Sequence, residues 1–170
     1  RRAVTDDDRH PKPLVAVDVA AFTVLDADLK LLIIRRELAP RALALPGGFV
    51  RCTRDDALGI AHEQGEDLDD AARRELLEET RLPAGAALPL VQVHVFGAPE
   101  RDARARVISV AYLAVVKPEL AAFVRAGSDA AGVSWWSVAD LDKITLAFDH
   151  RTIVDRCLER LRRDVDETPL

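Results

Sequence analysis

The sequence contains no methionine, a single tyrosine and only two cysteines, and aromatic residues make up just 5% of its 170 residues. Cys52 and Cys157 stand far apart without metal-type spacing, which argues against a disulfide framework and fits reduced thiols in the cytoplasm. The four histidines occur singly, and none has zinc-type spacing. No stretch approaches the roughly 18 apolar residues of a membrane span. Arg1 to Pro13 is charged and lacks an apolar run, so it reads as a loose tail rather than a signal peptide. Positive charge is also in deficit. A formal net charge of -5 excludes a general nucleic-acid binder, because phosphate backbones want a basic surface. A small anionic ligand remains compatible where arginines or a metal concentrate positive charge locally. With no methionine and a start at Arg1, the expectation is a trimmed or partial gene product.

What is present is ordinary globular composition, with 49% hydrophobic and 31% charged residues. Leu14 to Leu25 reads as a buried strand in which Asp18 is the only charge, followed by a turn at Asp26-Ala27-Asp28 and a second strand around Leu31 to Ile34. Leu45-Pro46-Gly47-Gly48-Phe49-Val50 is a punctuated turn entering a short strand. Leu90 to Phe96, Arg106 to Val116 and Val133 to Trp136 are further strands. Pro118 to Ala126 is a short helix, and Asp149 to Arg163 an amphipathic one, with Asp149 as its cap. Arg51 to Gln64 is polar and reads as a loop with a helical turn. The order predicts an α/β fold, a mixed sheet sandwiched between helices, with residues 14–165 as one domain.

The segment that carries chemistry is the helix predicted over Asp67 to Thr80. Asp67 is its N-cap, Asp69 and Asp70 favour its positive end, and Pro83 stops it. On a helix, Glu75, Glu78 and Glu79 fall within an arc of roughly 100°. Leu76 and Leu77 are expected to turn toward the body of the protein. Clustered carboxylates repel one another, and a hard divalent cation offsets that repulsion through oxygen ligands. Taken alone, the same face also suits a merely solvated helix.

The surrounding residues narrow the choice. Glu66, seven residues, then Arg74-Glu75-Leu76-Leu77-Glu78-Glu79-Thr80-Arg81-Leu82, with Gly47-Gly48 upstream, resembles the box of the Nudix family. That box runs Gly, five residues, Glu, seven residues, Arg-Glu-aliphatic-any-Glu-Glu-any-Gly-aliphatic. The resemblance implies an α/β/α sandwich and hydrolysis of a nucleoside diphosphate linked to another moiety. It implies that Glu75, Glu78, Glu79 and a carbonyl at Gly47 or Gly48 hold Mg²⁺, with Mn²⁺ as the alternative. By the same likeness Glu66 and Arg74 orient the ligands, and Glu75, or else Glu100, serves as the base. Two departures stand out. Arg81 replaces the box glycine at a position suited to a left-handed helix end. Seventeen residues separate Gly48 from Glu66 where the family has five, so about twelve are inserted near 51–64.

Phe96-Gly97-Ala98-Pro99-Glu100-Arg101-Asp102 and Leu146-Ala147-Phe148-Asp149-His150 look like ADP-ribose pyrophosphatases, and equally like the Nudix domain of NAD-metabolism repressors. Such repressors carry a winged-helix domain after the Nudix part; this sequence, ending at Leu170, is expected to lack it. The resemblance implies a nucleotide-sugar ligand such as ADP-ribose, no nucleic acid or membrane partner, and a homodimer. Arg35, Arg104 and Arg106 are the candidate phosphate partners, because guanidinium forks match phosphate oxygens. Phe49 is either an adenine platform or a turn-packing residue. Trp135 and Trp136 alternate along a strand, one expected inward and one toward solvent or a partner. The competing functions are a non-catalytic nucleotide sensor and a pyrophosphohydrolase that cleanses nucleoside triphosphates.

Overall fold

The computed structural model describes residues 12–37, 42–55, 62–82, 88–127 and 130–167; most of the expected tail, 1–11, lies outside them. The two longest strands, β1 (Leu14–Leu25) and β8 (Val107–Val115), pair in parallel. The turn between β1 and β2 (Asp28–Arg36) places Asp26 and Ala27 at φ 53° and 58°, the geometry of a tight two-residue hairpin. β3 (Leu43–Ala44) and β9 (Ala130–Ser137) flank β2, β4 (Gly47–Phe49) pairs with β1, and β7 (Leu90–Phe96) closes the far edge on β8. Among the described residues these seven strands make one mixed sheet.

Both faces of that sheet are covered, which is why its inner strands read as continuous apolar runs rather than as alternation. On one face Val17, Val19 and Ala21 of β1 join Val110 and Tyr112 of β8 beneath α1 (Leu68–Thr80), whose Ala71, Ala72 and Leu76 pack down on them, and beside Ala121 of α2 (Pro118–Ala121). On the other face Ala20, Phe22, Leu31, Ile33 and Leu113 meet Ile153, Val154, Cys157 and Leu158 of α3 (His150–Asp166). The expected α/β sandwich is therefore the observed one.

Several local expectations change. Leu77 is 47% exposed: the inward stripe of α1 runs Ala72, Leu76, Glu79 and Thr80, and Leu77 lies a hundred-degree step outside it. Trp135 and Trp136 both end half-buried, each packing against a different core. The described part of the inserted segment is strand rather than loop, and the expected helical turn falls outside the described residues. Its described residues form an antiparallel pair, β5 (Cys52–Asp55) with β6 (His62–Gly65), in a two-stranded sheet of its own; 56–61 lie outside the described residues. A hairpin that pairs only with itself has no core face to print a period into the sequence.

Candidate active site

α1 is fixed at both ends. At its start the Asp67 carboxylate accepts the Asp69 N–H at 3.0 Å, and the Tyr112 hydroxyl donates to Asp69 at 2.7 Å. At its end Arg81 adopts φ 57°, ψ 11° and its N–H reaches the Leu77 carbonyl, so the left-handed helix end expected from the box is present without glycine. The N–H groups of Arg125 and Gly127 donate to the carbonyls of Thr80 and Glu79, each at 2.8 Å. Gly127 lies so close that any side chain there would run into the Glu78 carbonyl.

The box carboxylates gather beside the Gly47–Gly48 strand. Glu79, 9% exposed, accepts the Gly47 N–H at 2.9 Å, while the Glu75 carboxyl lies against Gly48 where a Cβ would otherwise sit. Arg74 is the organiser. Its guanidinium reaches Glu66, Glu75 at 2.6 Å, Glu78 at 3.1 Å and the Phe49 carbonyl at 3.2 Å. Glu66 is held further by the Arg51 N–H at 2.8 Å, and the Arg51 side chain takes both Glu78 oxygens at 3.1 Å. These contacts have electrostatic consequences. Arg74 first, then the Arg51 N–H, hold the Glu66 carboxyl down at about 2. Burial pushes Glu75 above the usual carboxylate range, with Arg74 opposing it, and a raised carboxylate is a better base.

Glu75 and Glu79 open into a cavity of about 310 Å³ that is also lined by Gly47, Gly48, Phe49, Asp18, Arg36, Arg101, Asp102, Arg104, Phe148 and His150. Glu78 and Glu66 are not among the residues that line it. Among the described residues no three acidic, histidine or cysteine side chains stand gathered round one point, because Glu75 and Glu78 turn to Arg74 while Glu79 turns to Gly47. The donor set itself, carboxylates and backbone carbonyls, is what a hard divalent cation takes.

The other candidates divide. Arg104 lines the cavity, and Phe49 is 44% exposed at its edge, so Phe49 is not packed into the turn. Arg35 and Arg106 are exposed and lie outside it. Strand alternation sends Arg36, not Arg35, to the cavity side with Ile34. Glu100 borders a neighbouring cavity that shares Arg101, Asp102, Arg104 and Phe148 with the first.

The sequence reading missed the cavity floor. Buried Asp18 meets His150 Nε2 at 3.2 Å, the Ser109 hydroxyl at 2.5 Å and Arg101 at 3.4 Å. His150 Nδ1 accepts the Leu45 N–H at 2.9 Å, so the floor is tied to the chain entering Gly47. Although burial opposes it, His150, Ser109 and Arg101 together keep the Asp18 carboxyl below its ordinary value. Asp149 does not cap α3 with its side chain; its carboxylate instead takes Arg101 through two bonds of 2.7 and 3.0 Å. A lone charge inside an apolar strand had to find partners, and Asp18 was the available signal.

The NUDIX domain model matches residues 15–157. The chain is 37% identical over 147 residues to an ADP-ribose pyrophosphatase of Methanocaldococcus jannaschii, covering 84% of this chain and 71% of that protein. It is 31% identical over 163 residues to the ADPR responsive transcriptional repressor NtrR of Acinetobacter baylyi, covering 95% of this chain but only 59% of the repressor. The NUDIX domain of Shewanella oneidensis NrtR complexed with ADP ribose superposes with a TM-score of 0.75 at 29% identity, covering 92% of this chain and 94% of that one.

Proposed function

This chain belongs to the Nudix family, and on that premise we propose that it is a metal-dependent pyrophosphohydrolase that splits ADP-ribose with water into AMP and ribose 5-phosphate. The observation that carries the reading is the meeting of Glu75 and Glu79 with Gly47 and Gly48 at one wall of a cavity walled elsewhere by arginines. Glu75, Glu78 and Glu79, with the Gly48 carbonyl, would hold the divalent cation, Mg²⁺ or in its place Mn²⁺. When bound, that ion neutralises charge on the diphosphate and acidifies the attacking water.

The rest of the chemistry belongs to the protein. Arg74 and Glu66 hold the carboxylates beside the glycine strand, and loading the cation would turn Glu75 and Glu78 away from the guanidinium groups that now engage them. Glu75, the carboxyl raised by burial, is suited to take the proton from water. Arg104 supplies positive charge inside the cavity, and Phe49 offers an exposed ring at its mouth for a base. Residues 14–165 form one Nudix domain in this reading, with the hairpin near 51–64 as an insertion. The reading carries with it a cytoplasmic location and a homodimer, the latter checked by light scattering. No described helix is long and apolar enough to cross a membrane.

A second reading has its own support. Similarity to a repressor over 95% of this chain favours a domain that senses ADP-ribose without cleaving it, and Arg51 already occupies Glu78 in the manner of a cation. A triphosphate-cleansing enzyme would use the same carboxylates with another pocket. Incubation with Mg²⁺ and a nucleotide panel, followed by chromatography of the products, separates the three. AMP and ribose 5-phosphate from ADP-ribose establish the enzyme; tight ADP-ribose binding without products establishes the sensor.

A further inference from the structure

We propose that His150 is a positioning residue for the cation site: its ring fixes where the Gly47–Gly48 strand, and with it the Gly48 carbonyl, stands beside the box carboxylates. The inference rests on the reading of that carbonyl as a cation ligand.

The need for such a residue is written into the backbone. β3 ends at Ala44 and β4 begins at Gly47, so Leu45 and Pro46 lie between two strands, outside either ladder. Pro46 has no N–H, and the Leu45 N–H has no strand partner although Leu45 is 1% exposed. A buried N–H has to be paired. His150 Nδ1 accepts it at 2.9 Å, from 105 positions away along the chain. The loop that delivers His150 is stitched to the same segment. The Ala147 N–H donates to the Leu43 carbonyl at 2.8 Å, and Phe148 takes φ 53°, a conformation rare for a bulky residue, to turn the chain into α3. Immediately beyond Leu45 the Pro46 carbonyl accepts the Val19 N–H at 2.8 Å, and Gly47 lies opposite Asp18 on β1. A side chain at Gly47 would run into the Val17 carbonyl and the Asp18 carboxylate, so the strand is seated close against β1.

Both ring nitrogens of His150 are committed. A ring that accepts at Nδ1 carries its hydrogen on Nε2, and Nε2 stands 3.2 Å from Asp18. Ser109 and Arg101 hold Asp18 in turn. The imidazole thus joins the buried carboxylate of the cavity floor to the backbone that enters the glycine strand. Without the Leu45 bond the strand samples other positions, and affinity for the cation falls by the fraction of molecules that still hold the competent one.

The two ring nitrogens can be removed one at a time. In His150→Asn the side-chain oxygen falls where Nδ1 stood and still accepts from Leu45, but nothing reaches Asp18. In His150→Gln the amide N–H reaches Asp18, and no acceptor stands at the Nδ1 position. The probe is Mn²⁺ alone, its binding read from the paramagnetic resonance of the free ion, beside melting curves of the metal-free proteins and calorimetry of ADP-ribose in EDTA. Both variants should melt below wild type, since each loses one buried bond. Only His150→Gln should weaken Mn²⁺ binding, by about tenfold, the scale of one buried N–H deprived of its acceptor, while His150→Asn stays within about twofold of wild type. ADP-ribose binding in EDTA should be alike in all three, because the ring acts through the strand. A second measurement needs no variant: nitrogen NMR of the wild type should show His150 Nε2 carrying the hydrogen and Nδ1 without one. The opposite tautomer overturns the proposal, as do equal Mn²⁺ loss in both variants, unchanged Mn²⁺ affinity in His150→Gln, or no Mn²⁺ binding by the wild type. Weakened ADP-ribose binding in EDTA would make His150 a ligand contact and overturns it likewise. The expected Mn²⁺ split in a protein that neither binds nor cleaves ADP-ribose upholds the positioning role and removes the substrate reading. Cleavage of ADP-ribose without the split removes the positioning role and leaves that reading standing.

Discussion

The Gly47 N–H donates to Glu79 Oε2 at 2.9 Å, joining the glycine strand to the last turn of α1. Glutamine at 79 keeps an oxygen to accept that bond and loses only the charge. Glu79→Gln should therefore fold as wild type does and lose metal-dependent hydrolysis by about two orders of magnitude or more, since a neutral amide is a poor ligand for a hard cation. Melting curves with and without Mg²⁺ supply the control: the wild type gains stability from a ligand bound only by the native state, and the variant does not. Normal turnover by the variant would place the metal site elsewhere.

Arg81 holds φ 57° at an exposed helix end, where an L side chain is strained and glycine is not. Arg81→Gly should stabilise the protein by up to about 1 kcal/mol, read as a higher melting temperature, with hydrolysis unchanged. A lower melting temperature would reveal that the Arg81 side chain contributes more than its backbone costs.

Cys52 and Gly65 are cross-strand partners at the base of the hairpin, and the Arg51 bonds to Glu66 lie just below them. Excising Thr53–Gln64 joins two residues already side by side and leaves those bonds in place. The shortened protein should stay folded, with a cooperative melt, because the hairpin pairs within its own small sheet. A molten or insoluble product would show that the hairpin is built into the body of the fold.

Acid should loosen the rim of the site in a defined window. Glu66 is depressed from 4.5 to about 2 in the folded protein, chiefly by Arg74. A depressed carboxyl contributes stability that is fully present above its unfolded value and is lost as pH falls through its folded one. Thermal melts of wild type and Glu66→Gln should therefore differ above pH 4.5 and converge as the pH approaches 2. A difference that persists unchanged to the acid end would mean that Glu66 acts through packing rather than charge.

Much of this architecture was legible because it is local or periodic. β1 and β7 begin and end where the apolar runs do, the cap at Asp67 and the arc of glutamates follow from helix geometry, and the left-handed Arg81 follows from its place in the Nudix box. What escaped was tertiary. The choice between Arg35 and Arg36 turns on strand parity beside a bulge, which single residues do not announce. The Arg101–Asp149 pair spans 48 positions and the Asp18–Ser109 bond 91, so no local pattern ties them. Asp149 reads as a cap because a helix follows it, yet a buried arginine competes for its carboxylate more strongly than a solvated N–H does.

The bonds from Arg125 and Gly127 to the end of α1 act on the chemistry at a distance. The last turn of a helix ordinarily frays, and a frayed turn here would scatter Glu78 and Glu79 and require them to be re-collected in every catalytic cycle. With its final carbonyls engaged, the turn is assembled once, when the chain folds, and the reorganisation that would otherwise enter each turnover barrier is already complete. The fidelity of the carboxylate cluster is thus inherited from a stretch that carries no acid, base or ligand, and an alanine at Gly127 would be felt in turnover before any reacting group had been touched.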